Sequence, residues 1–300
     1  MAFQLLLIVG LSVLGCCKVT LQGSMSRRYV HGPQDSIWFN ALLFAAIMIC
    51  LALVFPFAMP DMTTLLYAVA AGLCMVLFQS GYAMALAIGP VSLTALIINF
   101  SVLLVSAFGI AVFDDSLYLS QFAGVIALVI SFFLSVNWNE QQKSSRRWLV
   151  ITLLTLIADT GVCCLQRLYQ ATPSAAVAGR DVTFLLIMYL SGSLMAFAFY
   201  FWKSRRDVQQ KSAMGLQPRV LLYVGLIAAI LSIYQKITMY AITIIEGTVY
   251  YPTHVGMMAL FTTLVGLIFF RDRLTTKQKW GLVCGIACIV LINIKIGPAL

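Results

Sequence analysis

Charged residues are scarce in this chain. Of its 300 residues, 10% are Asp, Glu, Lys or Arg, whereas a soluble domain carries about 25%. Hydrophobic residues make up 62% of the sequence, and the mean hydropathy is +0.98. So few charges do not suffice to cover a water-facing surface, which excludes a soluble globular domain. The composition predicts an integral membrane protein surrounded by a lipid bilayer.

Sequence motifs of enzymes are lacking as well. The chain has no Walker A loop, no zinc-protease motif and no Ser, His and Asp in a hydrolase order. Its eight cysteines all lie in apolar runs, without a histidine or a second cysteine pair at ligand spacing. We interpret them as small buried hydrophobic side chains. We therefore expect no enzyme activity, no cofactor and no metal.

Long apolar runs dominate what is present. A transmembrane helix needs about 20 apolar residues at a rise of about 1.5 Å each. The N-terminus lacks the basic region of a secretory signal, so the first run is interpreted as a retained span. We predict an all-α integral membrane protein with ten transmembrane helices, at about 2–22, 36–57, 63–87, 91–113, 118–136, 148–169, 181–202, 220–243, 248–270 and 279–296.

The basic residues mark alternate loops. Fourteen of the 19 Lys and Arg lie in four short loops, around Arg28, Arg147, Lys211 and Lys277. By the positive-inside rule these loops are cytoplasmic, which puts both termini outside. The net charge of +9 is thus a topology signal and requires no nucleic acid. We predict a multi-pass protein of a bacterial cytoplasmic membrane.

One pattern, D-x-L-x3-Q-x2-G, occurs twice, each time between two membrane-length apolar runs. It indicates a duplication of two five-helix units, 1–142 and 143–300. Because five is odd, the second unit enters the membrane from the opposite side, and such inverted-topology repeats are typical of alternating-access transporters. The two copies of the pattern consist of Asp115, Leu117, Gln121 and Gly124, and of Asp272, Leu274, Gln278 and Gly281.

The duplicated five-span unit and its signature resemble the drug/metabolite transporter superfamily, in particular its ten-span EamA-type group. The resemblance covers essentially the whole chain. Asp115 and Asp272 stand where that group usually has Glu, and neither follows a glycine. The resemblance implies a central cavity between the two halves and transport of small metabolites. With no ATP motif, the driving force would be a gradient, with proton exchange and facilitated diffusion both open.

Basic residues inside spans are costly and call for a reason. Lys236 lies about sixteen residues into span eight and shares a helix face with Tyr240. We expect Lys236 to line the cavity; the alternatives are snorkelling at the outer end or a structural ion pair. Lys18 and Arg167, near predicted helix ends, either serve function or snorkel. Three cations against one mid-span carboxylate favour an anionic or zwitterionic substrate.

That carboxylate is Asp159, in the middle of span six. It is either a proton-coupling site or the partner of Lys18 or Lys236 in a buried ion pair. In span nine, Pro252 is expected to kink the helix and free carbonyl groups, and His254 is either a packing group or a proton carrier.

The favoured function is a secondary transporter that moves a small polar or amphipathic metabolite, as a monomer or homodimer. The alternative is a receptor or assembly subunit that does not transport.

Glu246 is expected to be a gate or cap residue, and Asp114-Asp115 a helix cap or solvated turn. Gly281-x3-Gly285 mediates either packing within the bundle or a dimer. The predicted substrate-binding residues are Tyr234, Gln235, Lys236, Tyr240, Tyr250, Tyr251 and His254 in the second half, and Lys18, Gln22, Gln79 and Asn99 in the first.

Overall fold

The computed structural model describes residues 2–30, 32–135, 145–206, 217–269, 275–294, 296 and 298. The regular structure of these residues is helical, as predicted. The helices are α1 (Ala2–Tyr29), α2 (Pro33–Val54), α3 (Met62–Ile88), α4 (Val91–Asn99), α5 (Ser101–Phe113), α6 (Leu119–Ser135), α7 (Arg146–Gln170), a 3-10 turn (Pro173–Ala176), α8 (Arg180–Arg206), α9 (Pro218–Ile244), α10 (Gly247–Phe269) and α11 (Thr276–Asn293).

Seven helical segments in the described part of the chain are long and apolar enough to cross a membrane. They are α1, α2, α3, the consecutive α4 and α5, α7, α8 and α9. These are the helices of a membrane-embedded multi-pass protein. Helix α6 is a shorter apolar helix. Two further helices, α10 and α11, have 23 and 18 residues, but polar residues occupy much of the first turns of both. The count of ten spans stays a prediction.

The fourth predicted span, 91–113, is not one helix. Phe100 separates α4 from α5, and its backbone N–H donates to the carbonyl groups of Ile97 and Ile98. Helix α10, in contrast, is one continuous helix with Pro252 inside it.

The chain forms two compact units. Unit 1 consists of Met1–Cys16, Pro90–Lys143 and Tyr240–Leu300, and unit 2 of Cys17–Gly89 and Ser144–Met239. Each unit takes helices from both halves of the sequence. The division into units is therefore a different one from the predicted repeats 1–142 and 143–300.

In unit 1, α6 packs along α11, and α10 packs against α5, α6 and α11. Helices α6 and α11 run antiparallel. Ser120, at the start of α6, donates to the carbonyl group of Ile294 after the end of α11. Ser131, near the end of α6, donates to the carbonyl group of Gly281 at 2.6 Å, near the start of α11. Helices α5 and α10 are antiparallel as well, since Thr248, in the first turn of α10, donates to Ser116 beyond the end of α5.

The small residues of α11 serve this packing. Gly281 and Gly285 are both buried in unit 1, and a Cβ atom on Gly285 would lie 3.3 Å from Ser131 Oγ. Packing within the bundle, one of the two predicted roles of this pair, is therefore confirmed.

In unit 2, α3 packs against α7 and α8, and α2 packs along α8. Helices α2 and α8 are antiparallel. Thr183, in the first turn of α8, donates to the carbonyl group of Ala58 beyond the end of α2, at 2.6 Å. At the opposite end, the Trp38 ring lies 5.6 Å from Phe197 and 4.9 Å from Tyr200. Large buried side chains such as Phe44, Tyr169, Phe184 and Tyr189 form the core of this unit.

Candidate functional site

The aromatic residues of α10 form a buried cluster in unit 1. Tyr250, Tyr251 and His254 are all buried. The Tyr250 ring stacks on His254, with centroids 5.7 Å apart, and meets Tyr251 edge to face at 5.0 Å. Three residues predicted to bind substrate are thus brought together.

His254 is held by α1. Its Nδ1 atom lies 3.0 Å from Ser12 Oγ, and the same hydroxyl group donates to the Ile8 carbonyl group at 2.8 Å. Because a hydroxyl group has a single proton, the bond to Ile8 leaves Ser12 Oγ to accept a hydrogen bond from the Nδ1–H group of His254. This arrangement matches the predicted role of a hydrogen-bonded packing group, and it fixes the ring between Ser12 and Tyr250.

The paired carboxylates after α5 are a helix cap. Asp114 ends α5 in the left-handed region, with φ of 51°. Asp115 Oδ2 accepts from the backbone N–H of Gly247 at 2.9 Å, at the start of α10. A carboxylate at a helix N-terminus accepts a hydrogen bond from an otherwise unpaired backbone N–H group and interacts favourably with the positive end of the helix dipole. The capping role predicted for this pair is confirmed for Asp115.

A cavity of about 340 Å³ lies in unit 1 between the start of α1, the start of α10 and the end of α11. Glu246 lines it and accepts from Ser116 Oγ at 3.4 Å. Gln4 Nε2 donates to the carbonyl group of Ile244 at 2.9 Å, and Asn293 Nδ2 donates to that of Ile289 at 2.8 Å. The lining residues are Gln4, Ile8, Ile244, Ile245, Glu246, Val249 and Asn293.

In unit 2, Lys236 of α9 forms an ion pair with Asp181 in the first turn of α8. The Lys236 and Asp181 side chains are 32% and 19% exposed. Asp181 Oδ1 also accepts from the Val182 N–H at 2.9 Å. Lys236 thus forms a structural ion pair, one of the roles that the sequence left open for it. Its partner is Asp181, whereas the sequence had offered Asp159 as a partner of either Lys18 or Lys236.

Asp159 of α7 lies close enough to Lys18 of α1 for their charges to influence each other. The Lys18 and Asp159 side chains are both partly buried, and the predicted ion pair of Asp159 with Lys18 stays a prediction. Arg167 of α7 is only 7% exposed. Its side chain is enclosed by protein, which argues against simple snorkelling.

The remaining predicted site residues are scattered. Gln235 is buried and donates to Tyr189 OH at 2.8 Å. Gln22 and Gln79 are partly buried in unit 2, whereas Asn99 is exposed. Tyr240 is 51% exposed and belongs to unit 1. Lys236 and Tyr240 lie four residues apart in α9, as predicted, but the Lys236 ammonium group pairs with Asp181 of α8.

One polar cluster was missed entirely. Asp61 caps α3 by accepting from the Thr64 N–H at 2.9 Å, and its second oxygen accepts from Ser174 and, at 3.3 Å, from Arg180. The hydroxyl groups of Ser174 and Thr64, the Thr64 N–H and the Arg180 charge lower the pKa of Asp61 below its usual range. Only the local spacing of Asp61 and Thr64, typical of a helix cap, could have suggested part of this cluster.

The cysteine prediction needs one correction. All eight cysteines are free thiols, and Cys17 is exposed, whereas Cys16 and Cys288 are buried. Cys17 lies on an apolar helix, α1, where hydrophobic side chains such as Val13 are also exposed. Within the described residues, no group of three His, Cys, Asp or Glu is placed to hold a metal ion.

No known family model matches this chain, and no curated protein matches it either. Among solved structures, 28 chains match. One of them, described as "Crystal structure of protein", has a TM-score of 0.67 and 12% sequence identity, over 95% of this chain and 98% of that one. At this identity the similarity establishes a shared fold along nearly the whole chain.

Proposed function

We propose that this chain is a secondary transporter of the ten-span EamA type in the drug/metabolite transporter superfamily. It moves a small polar or amphipathic metabolite across the membrane by alternating access. The observation that carries the proposal is the antiparallel packing of helices that occupy equivalent places in the two halves of the sequence. Spans two and seven correspond to α2 and α8, spans four and nine to α5 and α10, and spans five and ten to α6 and α11.

All three equivalent pairs are in contact and antiparallel. Two repeats of five spans each require equivalent helices to run in opposite directions, because the second repeat enters the membrane from the opposite side. Inverted repeats of this kind supply transporters with two conformations of similar energy, one open to each side. In this scheme α4 and α5 form one interrupted span, and α6, α10 and α11 complete the ten.

The duplicated signature supports the same scheme. Gln121 Oε1 accepts from the N–H of Tyr118 at 2.9 Å, before α6, and Gln278 Oε1 accepts from the N–H of Thr275 at 3.0 Å, before α11. The signature glutamine thus makes the same helix cap in both copies. The second-copy residues Asp272 and Leu274 lie outside the described residues.

The predicted topology also has support within unit 1. Gln4, near the N-terminus, bonds to Ile244 before the α9–α10 turn, and Ile294, after α11, bonds to Ser120 after the α5–α6 turn. The start of α1 and the end of α11 therefore lie at one end of this unit. We propose that this end is the outer face of a bacterial cytoplasmic membrane, as the basic loops predict.

The ion pairs of the protein revise the preference for an anionic substrate that the sequence suggested. Lys236 is compensated by Asp181, and Lys18 interacts with Asp159. Two of the three cations that favoured an anionic substrate are therefore accounted for within the protein. We propose a zwitterionic or neutral metabolite in preference to an anion, with Asp159 and His254 as the candidates for proton coupling.

The test is counterflow in proteoliposomes. Vesicles are preloaded with one unlabelled metabolite at a time, from a panel grouped by charge, and uptake of the labelled compound is measured with and without a proton gradient. We expect transient, saturable accumulation for at least one zwitterionic or neutral compound, and none in protein-free vesicles. Counterflow only of anions would overturn the substrate class. If folded protein exchanges no compound but co-purifies with a protein partner, the receptor or assembly subunit is the better hypothesis.

A further inference from the structure

We infer that a second cavity of unit 1 binds an acyl chain whose head offers a carboxyl oxygen, in a free carboxylate or in an ester. The cavity has a volume of about 180 Å³ and lies between α6, α10 and α11. Six of its nine lining residues are Leu, Ala or Gly, so most of its wall suits a hydrocarbon chain. Binding at this cavity is independent of transport.

The signature residue Gln278 supplies the hydrogen-bond donor of this cavity. Its Oε1 atom accepts from the N–H and the hydroxyl group of Thr275, at 3.0 Å and 3.2 Å. Because a backbone N–H group only donates, this cap assigns the amide oxygen and leaves the NH2 group for other partners.

The two copies of the signature differ at this NH2 group. In the first copy, the Gln121 NH2 group donates to the carbonyl group of Ile292 at 3.3 Å and so joins α6 to α11. In the part of the chain that the structure describes, the Gln278 NH2 group has no corresponding partner. The second copy has the cavity at this place, and Gln278 lines it.

The other two polar residues of the lining already use their hydroxyl protons. Ser131 donates to the carbonyl group of Gly281 at 2.6 Å, and Thr263 donates to that of Ala259 at 2.7 Å. Among the described residues, no charged side chain lines the cavity. The Gln278 NH2 group is therefore the donor that remains for a ligand, and it selects an oxygen acceptor.

The direction of α10 and α11 places the polar residues of the cavity. Asn293 Nδ2 donates to Thr253 Oγ1 at 3.1 Å, and a Cβ atom on Gly256 would lie 3.2 Å from the Ile289 side chain. A step forward along α10 is thus a step back along α11, and the two helices are antiparallel.

The cavity consequently has an apolar end and a polar end. At the apolar end, a Cβ atom on Gly256 would lie 4.0 Å from Leu128 of α6. Thr263 follows Gly256 by seven residues, and Gln278 precedes Gly285 by seven, so each lies about 10 Å farther toward the adjoining ends of α10 and α11. An amphiphile fits with its chain among the Leu and Gly residues and its oxygen at Gln278.

Charge complementarity favours a carboxylate at the polar end. From residue 271 to residue 279 the sequence has four basic residues and one acidic residue. Lys277 and Lys279, on either side of Gln278, are both exposed. Residues 271–273 lie outside the described residues and enter here through their charge alone. The net positive charge of this segment attracts an anion and repels an ammonium group.

The cavity is small and open on one side. Ala259 lines it and is exposed, so a chain longer than the cavity can leave at this point. The volume is close to that of an engineered apolar cavity of about 150 Å³ that binds benzene. The cavity therefore holds the first few carbons of an acyl chain.

Two sources supply this chemistry, a free fatty acid and the ester-linked chain of a phospholipid. Both present a carboxyl oxygen at the head of a hydrocarbon chain. The linkage of the lipid in the sample distinguishes them, because ether-linked lipids have no such oxygen.

The experiment uses the full chain in nanodiscs of ether-linked phosphatidylcholine and measures binding of labelled hexanoate by equilibrium dialysis. Empty nanodiscs give the partitioning into lipid, which is subtracted. Hexylammonium has the same chain with the opposite charge, and acetate has the same head without the chain. We expect hexanoate to bind saturably and the other two to bind at least about tenfold more weakly.

Two variants of Gln278 test the donor. Gln278→Met removes the NH2 group without adding a charge and should weaken hexanoate binding about tenfold. Gln278→Glu keeps an acceptor for the Thr275 cap but adds a negative charge, and should weaken it about a hundredfold. The control is Gly225→Ala in unit 2, where no atom would lie within 4 Å of the new Cβ atom, and its affinity for hexanoate should equal that of the wild type.

The same measurement in nanodiscs of ester-linked phosphatidylcholine identifies the source. A weaker apparent affinity for hexanoate identifies the phospholipid chain as the natural occupant, because it competes for the cavity. An unchanged affinity identifies a free fatty acid.

Acyl-chain binding is excluded if folded wild-type protein binds no more hexanoate than empty nanodiscs do, if hexylammonium or acetate binds equally well, or if both Gln278 variants retain full affinity. These outcomes are separate from the counterflow result. Hexanoate binding without any counterflow leaves the cavity assignment in place and removes the transport proposal, and counterflow without hexanoate binding does the reverse.

Discussion

Lys236 and Asp181, 55 residues apart, form an ion pair that joins α9 to the first turn of α8 inside unit 2. Asp181 also stands at the positive end of the α8 dipole, where a carboxylate is favourable. The Lys236 ammonium is therefore part of a packed helix contact. A residue singled out as a substrate ligand holds two helices together, and this has a measurable consequence for stability.

We expect Lys236→Met and Asp181→Asn each to destabilise the protein, by about 1–2 kcal/mol. The value lies between those of surface and buried pairs because both side chains retain some exposure. Each single variant leaves one charge without its partner, whereas the double variant leaves neither. The double variant should therefore be more stable than the sum of the single effects, by about 1 kcal/mol. Equilibrium unfolding in mixed micelles measures the four proteins, and strictly additive losses would show that the pair contributes nothing.

Gln235 and Tyr189 allow a similar test without charges. Gln235 Nε2 donates to Tyr189 OH at 2.8 Å, with both side chains buried. Tyr189→Phe leaves the amide without this acceptor, and we expect a loss of about 1 kcal/mol. Replacing both residues, as Gln235→Leu with Tyr189→Phe, removes donor and acceptor together and should recover most of that loss. If the double variant is less stable than Tyr189→Phe alone, the amide contributes mainly by packing.

The features that could be predicted from the sequence are those that depend on the residues of one segment. Apolar runs predicted the helices because length and hydropathy are properties of one segment. The residue types of Asp115, Gly281 and Gly285 indicated a helix cap and close helix packing, but their partners, Gly247 and Ser131, are distant in the sequence and were not predicted. The partner of Lys236 was not predicted either, since the sequence offered only Asp159, the carboxylate deepest in a span, as the partner of either Lys18 or Lys236. Depth does not say which helix faces which, and only the packing of α9 on α8 places Asp181 within reach.

The cavity in unit 1 was missed for a related reason. Gln4 and Asn293 lie close to the ends of apolar runs, where a polar residue costs little and gives no signal. Glu246 was noticed, but as a gate or cap. These three residues come from the start, the α9–α10 turn and the end of the chain, so only the fold brings them to one cavity.

Asp61 predicts a dependence of stability on pH. Its pKa in the folded protein is lowered, first by the Ser174 hydroxyl group and then by Thr64 and Arg180. A lowered folded-state pKa means that the ionised form is bound more favourably in the folded protein. The contribution is therefore complete above the unfolded-state value of about 3.9 and is lost as the pH falls through the folded-state pKa. Below about pH 4, the wild type should lose this advantage progressively.

The matched variant is Asp61→Asn, which keeps a good N-cap side chain but cannot ionise. We expect it to be less stable than the wild type at pH 7, and the difference in melting temperature should shrink as the pH is lowered below about 4. Ser174→Ala should show the same trend with a smaller amplitude. A difference between wild type and Asp61→Asn that stays constant from neutral to acidic pH would contradict the assignment.

Three helical glycines predict a graded series of stability changes. A Cβ atom on Gly72 of α3 would lie 2.1 Å from Ser191 Oγ and 2.6 Å from the backbone oxygen of Met188 in α8. A Cβ atom on the signature residue Gly124 of α6 would lie 2.6 Å from the Ile292 side chain and 3.1 Å from its backbone nitrogen in α11. At Gly225 of α9 no atom would lie within 4 Å.

Gly72→Ala should therefore be the most destabilising of the three, because a backbone oxygen cannot move aside without separating α3 from α8. Gly124→Ala should cost less, since the backbone atoms that it faces, Ile292 N at 3.1 Å and Cys288 O at 3.2 Å, are farther away than Met188 O is from Gly72; overpacking of this kind costs about 1–3 kcal/mol. Gly225→Ala should raise the melting temperature, because alanine is favoured over glycine in a helix by about 1 kcal/mol. Melting temperatures in one detergent give the order. If Gly124→Ala is as stable as Gly225→Ala, α6 and α11 do not approach each other as closely as this packing requires, and the antiparallel pair loses its support.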